Sequence, residues 1–137
     1  MSNIEEIPFT AKYTDKITNK EVSLSAILTK NSSTSDTILL CHGMFGSKNS
    51  SLNLHLLSGL KNFWSVLRFD FEGNGDSSGE WSYADYEREV RNISDIIEYL
   101  KSLIRNPVIL LLNINMNYIS KSNFIIFSGW SITKKGL

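Results

Sequence analysis

The sequence is short of the residues that staple a fold or hold a metal. Cys41 is the single cysteine in 137 residues, so no internal disulfide can form. The histidines are His42 and His55 alone, and with one cysteine beside them they cannot supply a dense zinc-type ligand set. No metal and no cofactor is expected. There is no excess of either charge: 14 Lys and Arg balance 14 Asp and Glu, which excludes a basic field that would hold nucleic acid or a membrane surface. Long apolar runs are missing too. The best candidate, "PVILLLNINMNYISKSNFIIF", is interrupted by Asn113, Asn115, Asn117, Lys121 and Asn123, so no membrane span is expected. The N-terminus, "MSNIEEIPFT", is acidic and lacks the order of a signal peptide. These absences predict a cytoplasmic, reducing setting, in which the sequons at Asn31, Asn49 and Asn92 stay idle.

What is present is an alternation of strand-like and helix-like segments within one domain's length. Phe9–Tyr13 and Val22–Leu28 read as two strands around the polar turn "TDKITNK". "TILLC" reads as a strand buried on both faces. From Ser51 to Trp64, Leu52, Leu56, Leu60 and Phe63 recur at helical spacing, with Leu57 and Trp64 alongside, and Gly59 weakens that helix. "SVLRFDF" is the next strand. The clearest helix follows: Tyr83, Tyr86, Val90, Ile93, Ile97, Leu100 and Ile104 step by three or four, with Ser82 as the expected N-cap and Asn106–Pro107 as the stop. "VILLL" is a further buried strand. The predicted order is hairpin, strand, helix, strand, helix, strand: an α/β chain with a mostly parallel sheet. Such sheets place their functional loops at the carboxyl ends of the strands, here after Cys41 and in the glycine-rich segment after "SVLRFDF".

Neither loop carries a complete motif by itself. Cys41 and His42 are adjacent on a strand and diverge, so a nucleophile–base pair is not expected and Cys41 reads as core. "GMFGSK" fails the phosphate-loop pattern, with two residues between Gly43 and Gly46 where four are needed, and "GNGDSSG" places Gly79 one position late for a dinucleotide fingerprint. A nucleotide-binding domain is therefore disfavoured. "DFEGNGDSSGEW" imitates a calcium loop, but Trp81 stands where the bidentate glutamate belongs.

In order and spacing, the two loops together carry more. A strand ending in His-Gly, a helix, and a strand leading into Asp70-x-x-Gly73-x-Gly75-x-Ser77 resemble the N-terminal half of an α/β-hydrolase, most similar to the serine aminopeptidase and monoacylglycerol-lipase-like branch in its plant-type members. The likeness runs from about Phe9 to Ile104. It implies serine-type hydrolysis of a small-molecule acyl ester or amide, with the backbone N–H of Met44 in an oxyanion hole, His42 and Gly43 shaping its turn, and Asp70, Gly73, Gly75 and Ser77 forming a structural loop beside the cleft.

Residues 1–106 thus read as half of such a domain and 107–137 as a divergent tail with one or two strands. The tail has no G-x-S-x-G. Its nearest echo is Gly129-Trp130-Ser131, with Thr133 in place of the second glycine; Ser131 is the candidate nucleophile, with only six residues after it and no acid or histidine beyond. The triad is incomplete, so the expectation is a truncated domain that is weak or inactive alone. The alternative is a non-catalytic fragment that binds a partner at its open sheet edge.

Overall fold

The structure, a computed structural model, describes residues 3–104 throughout and the backbone of three strands beyond them. Strands β1 (Ile4–Thr14) and β2 (Glu21–Asn31) form a long antiparallel hairpin, followed by β3 (Thr37–Cys41), helix α1 (Ser51–Leu60), β4 (Ser65–Phe69), helix α2 (Tyr86–Leu103), β5 (Ile109–Asn113), β6 (Phe124–Ser128) and β7 (Ser131–Lys134). All seven strands join one sheet in the order β1-β2-β4-β3-β5-β6-β7. The central run β4-β3-β5-β6 is parallel; β1, β2 and β7 attach antiparallel at the two sides.

The hairpin is longer than its apolar alternation indicates. Pairing extends to Ile4↔Asn31, because polar residues such as Glu5 and Glu6 are tolerated on an open edge strand. Its turn is built by Asp15, whose Oδ1 accepts N–H bonds from Ile17 (2.8 Å) and Thr18 (2.9 Å). In β3 and β4 every residue is buried, as expected of strands covered on both faces.

The period of two in β3 and β4 divides the core. Leu39, Cys41, Leu67 and Phe69 pack with Ile93, Ile96, Ile97 and Leu100 of α2. Ile38, Leu40 and Val66 pack with Leu57 of α1 on the other face. The two helices therefore cover opposite sides. Strand β3 pairs β4 on one side and β5 on the other, and this reversal of strand order opens a crevice at the carboxyl ends of the strands.

Both helices differ in detail from the sequence reading. Helix α1 ends at Leu60, and its buried positions are Asn53 and Leu57, while Leu52 and Phe63 are exposed. The spacing located the helix and part of its inward side: Leu56, Leu60 and Trp64 pack partly buried beside Leu57, while Leu52 and Phe63 face outward because leucines occupy both faces. Helix α2 is capped by Asp85, whose carboxylate accepts from the Arg88 N–H, and not by Ser82. Ala84 has φ +53°, which interrupts the backbone before the helix and leaves Tyr83 outside it. Beyond α2 the tail contributes three strands where one or two were expected. The Asn106–Pro107 stop and the Gly129–Trp130 pair lie outside the described residues.

The inward side of α1 gives a direct check. Leu57→Ala is expected to cost about 2–5 kcal/mol and Leu52→Ala less than about 1 kcal/mol in urea unfolding; similar costs for the two would contradict the packing.

Candidate active site

The chain leaves β3 through a tight turn. Gly46 N–H donates to the Gly43 carbonyl at 3.0 Å, so Met44 and Phe45 are the central residues of a β-turn. Phe45 has φ +57° and Met44 does not share this left-handed backbone, which is the pattern of a type II turn. Among the described residues the Met44 N–H meets no acceptor. Gly46 is held to glycine by space: a Cβ there would lie 2.9 Å from the Gly43 carbonyl oxygen.

His42 fixes this turn to the end of β4. Its Nε2 accepts the Phe71 N–H at 3.1 Å, and its Nδ1 lies 2.8 Å from the Gly43 carbonyl oxygen. An amide N–H can only donate, so the proton of the neutral ring resides on Nδ1 and is donated to Gly43. Both ring nitrogens are thereby occupied. Burial is the main reason that the His42 pKa is held below the ordinary imidazole value, with the Lys48 charge adding to it against the Gly43 bond and Asp70. The neighbouring Cys41 is fully buried in the core on the α2 face, and burial raises its thiol pKa, which keeps it protonated. His55 is exposed on α1.

The loop after β4 is organised by Asp70. Its buried carboxylate accepts the Lys48 N–H (2.6 Å), the Lys48 ammonium (2.6 Å) and the Asp76 N–H (2.9 Å). Lys48 also reaches Asp76 at 2.9 Å. Burial opposes the Lys48 charge, but the bonds and charges of Asp70 and Asp76 outweigh it, and its pKa stands above the ordinary lysine value. Ser77 donates to the Asp70 carbonyl at 2.6 Å and accepts the Ser25 N–H of β2. Gly73 and Gly75 both have positive φ; a Cβ on Gly75 would overlap the Asp70 carboxylate, and one on Gly73 the Glu80–Trp81 backbone. The carboxylate that the calcium-like spacing singled out is thus committed to lysine, and no three-acid or histidine cluster suited to a metal occurs among the described residues.

Helix α2 closes the side of the site. Asn92 accepts the Glu72 N–H (2.9 Å) and donates to the Glu72 carboxylate (2.6 Å) and to the Tyr13 hydroxyl (3.1 Å). Arg88 donates to the carbonyls of Glu80 (2.9 Å) and Glu72 (3.4 Å). Between the two loops and α2 lies a cavity of about 300 Å³, whose lining includes His42, Gly43, Met44, Trp81 and Tyr86.

Of the residues singled out by sequence, His42, Gly43, Met44, Asp70, Gly73, Gly75 and Ser77 come together here. Ser131 does not. The register Cys41↔Asn113↔Ser128↔Ser131 puts it at the same carboxyl edge, but in β7, with β5 and β6 between it and β3. Three strand spacings amount to about 14 Å. It begins an antiparallel strand and not the helix of a nucleophile elbow. Sequence reasoning missed Lys48, Arg88 and Asn92. Lys48 meets Asp70 across 22 positions with no periodicity linking them, and Asn92 stood out only as a sequon.

Two outcomes follow from these bonds. Asp70→Asn removes the buried counterion of Lys48 and leaves it only the exposed Asp76 carboxylate, and is expected to cost about 3 kcal/mol. Lys48→Met is expected to cost less, since two amide donors still serve Asp70, and the double variant less than the sum; urea unfolding of the set checks this, with additivity as the contrary result. For His42, a folded pKa below the unfolded one means that stability is whole above about pH 6.5 and declines as pH falls below it. The melting temperature should therefore drop between pH 7 and 5.5, and drop less in a His42→Gln variant.

No family model and no curated protein matches the sequence. Solved structures do. An esterase from Pyrococcus furiosus superposes with a TM-score of 0.70 at 21% identity over 83% of this chain and 41% of its own. An α/β serine hydrolase homologue from Coxiella burnetii gives 0.65 at 19%, over 80% and 51%. A lidless α/β serine hydrolase from Xanthomonas campestris gives 0.63 at 17%, over 81% and 51%. The chain spans about two-fifths to one-half of the length of these proteins. Its fold is accordingly a partial α/β-hydrolase fold.

Proposed function

We propose that this chain carries the oxyanion side of a serine-type hydrolase that cleaves acyl esters or amides. The observation that carries the reading is Met44, a residue of the cavity lining at the carboxyl end of β3 whose N–H meets no acceptor among the described residues. An N–H held in place before reaction stabilises the negative oxygen of a tetrahedral intermediate without reorganisation. His42 supports this role through Gly43 and Phe71, and with both ring nitrogens engaged it acts as a turn clamp and not as the general base. The resemblance of the Asp70–Ser77 segment to the serine aminopeptidase-like branch favours the same reading. The resemblance implies a nucleophile and base from a later part of such a fold, and this chain spans only about two-fifths to one-half of the structures it matches. With Ser131 three strands from β3, this chain by itself is weakly active or inactive.

Two experiments bear on it. Position 44 is the second residue of a type II turn, where proline fits, so Met44→Pro removes the N–H and keeps the turn. In a chimaera with residues 37–50 replacing the superposed segment of the Pyrococcus furiosus esterase, the parent sequence is expected to support ester hydrolysis and Met44→Pro to lower kcat by about 100- to 1,000-fold. An unchanged kcat would sink the Met44 assignment. For the chain itself, a fluorophosphonate probe on protein shown to melt cooperatively should leave Ser131 unmodified; fold-dependent labelling there would overturn the inactivity.

A further inference from the structure

The cavity beside Met44 has one wall that the oxyanion role does not require. The Phe45 ring stacks on Trp81 with centroids 4.9 Å apart and planes 21° apart, and Trp81 in turn meets Tyr83 at 6.3 Å and 57°. These rings are exposed, with Phe45 76% and Trp81 43% accessible. Phe45 also holds a backbone conformation, φ +57°, that costs a side chain on the order of 1–2 kcal/mol and that glycine would adopt freely. Its ring gains little burial in return. What it does supply is a fixed position for the Trp81 indole, which lines the cavity with Met44 and Tyr86.

We propose that this wall is a subsite for a compact aromatic group carried by an uncharged ester or amide. The proposal rests on the hydrolase reading above and names its substrate class. Three observations converge on it. Indole and phenol rings offer a ligand ring the offset and edge-on contacts that aromatic pairs favour. At about 300 Å³ the cavity is at the small end of ligand sites, matching a single ring and its carbonyl better than an extended acyl chain. Its lining holds Glu72, Glu89 and the Arg88 guanidinium, two negative groups against one positive, which disfavours anions. Hydrolysis breaks the bond between the carbonyl carbon and the leaving oxygen or nitrogen, adds water across it, and yields an alcohol or amine, a carboxylate and a proton (taken up by the amine where one is released). The uncharged substrate enters a wall that suits it, and the anionic product meets a lining with more negative than positive groups.

Binding can be read without turnover. The full chain is titrated with methyl benzoate, methyl octanoate and sodium benzoate, followed by saturation-transfer NMR and calorimetry. Methyl benzoate is expected to bind saturably and more tightly than either of the others. Trp81→Leu should weaken it by about three- to tenfold. Phe45→Gly, which relieves the backbone while removing the stack, should weaken it in the same direction and serves if the Trp81 variant fails to fold. Equal binding of benzoate or octanoate, or methyl benzoate affinity unchanged in Phe45→Gly, overturns the subsite. Lost selectivity with kcat still dependent on the Met44 amide sinks the subsite alone. Selective binding with no such dependence sinks the hydrolase reading alone.

Discussion

The buried Asp70 carboxylate is the point on which the rest of the site depends. It stands where β4 ends and receives bonds from both loops at once: the backbone and ammonium of Lys48 from the first, the backbone of Asp76 from the second. A charge removed from water in this way must be compensated on all sides, and the compensating groups dictate the path of two chain segments. The demand extends to residues that donate nothing to the carboxylate. Position 75 must be glycine because the carboxylate fills the space of its Cβ. Ser77 and Ser78 can stitch the loop to Ser25 and Ser23 of β2 because that tight turn brings them back along the strand. The ion pair contributes less to total stability than to uniqueness: few other arrangements of these loops would satisfy every donor and acceptor.

His42 is the second fastening, and it works by a different kind of constraint. One ring nitrogen must accept and the other must donate for the turn and β4 to be held together. The neutral tautomer is therefore built into the fold, and burial maintains it. A histidine beside a candidate oxyanion donor invites a catalytic reading, yet a ring locked between two backbone groups has no nitrogen with which to shuttle a proton. Its contribution under the proposed function is geometric. It holds the Gly43 carbonyl at one end of the turn, beside Met44 of the cavity lining.

The fold was largely legible in the sequence because its signals are local or periodic. Continuous apolar runs marked β3 and β4, and the three-to-four spacing marked α2. The limits of that legibility are physical as well. Helix α1 has leucines on both faces, so spacing put the exposed Leu52 in one stripe with Leu56 and Leu60; the sheet divided them, with Ile38, Leu40 and Val66 clustering with Leu57 and the partly buried Leu56 and Leu60. The start of α2 moved to Asp85 because a left-handed Ala84 precedes it, and a single alanine gives no sign of that. The turn residues of the candidate site were found through a resemblance, whereas Lys48, Asn92 and Arg88 were not found at all. Apart from Asp85, three positions before Arg88, their partners lie between eight and 79 positions away, and side-chain bonds at such separations leave no pattern along the chain.

The same contrast separates the two features proposed for the cavity. The proposed oxyanion turn is determined by backbone geometry: a type II turn, a clamped Gly43 carbonyl and a glycine at position 46 where a Cβ would crowd that carbonyl. Any side chain at position 44 would leave the amide where it is. The aromatic wall is determined by side chains alone, since the fold needs neither Phe45 nor Trp81 in its core. Under the proposed function, groups that the fold requires bear on whether a carbonyl could be activated here, and groups that it does not require bear on which carbonyl would arrive. A strained, exposed phenylalanine belongs to the second kind, because packing gives no reason to retain it and a stacked indole at the cavity edge does.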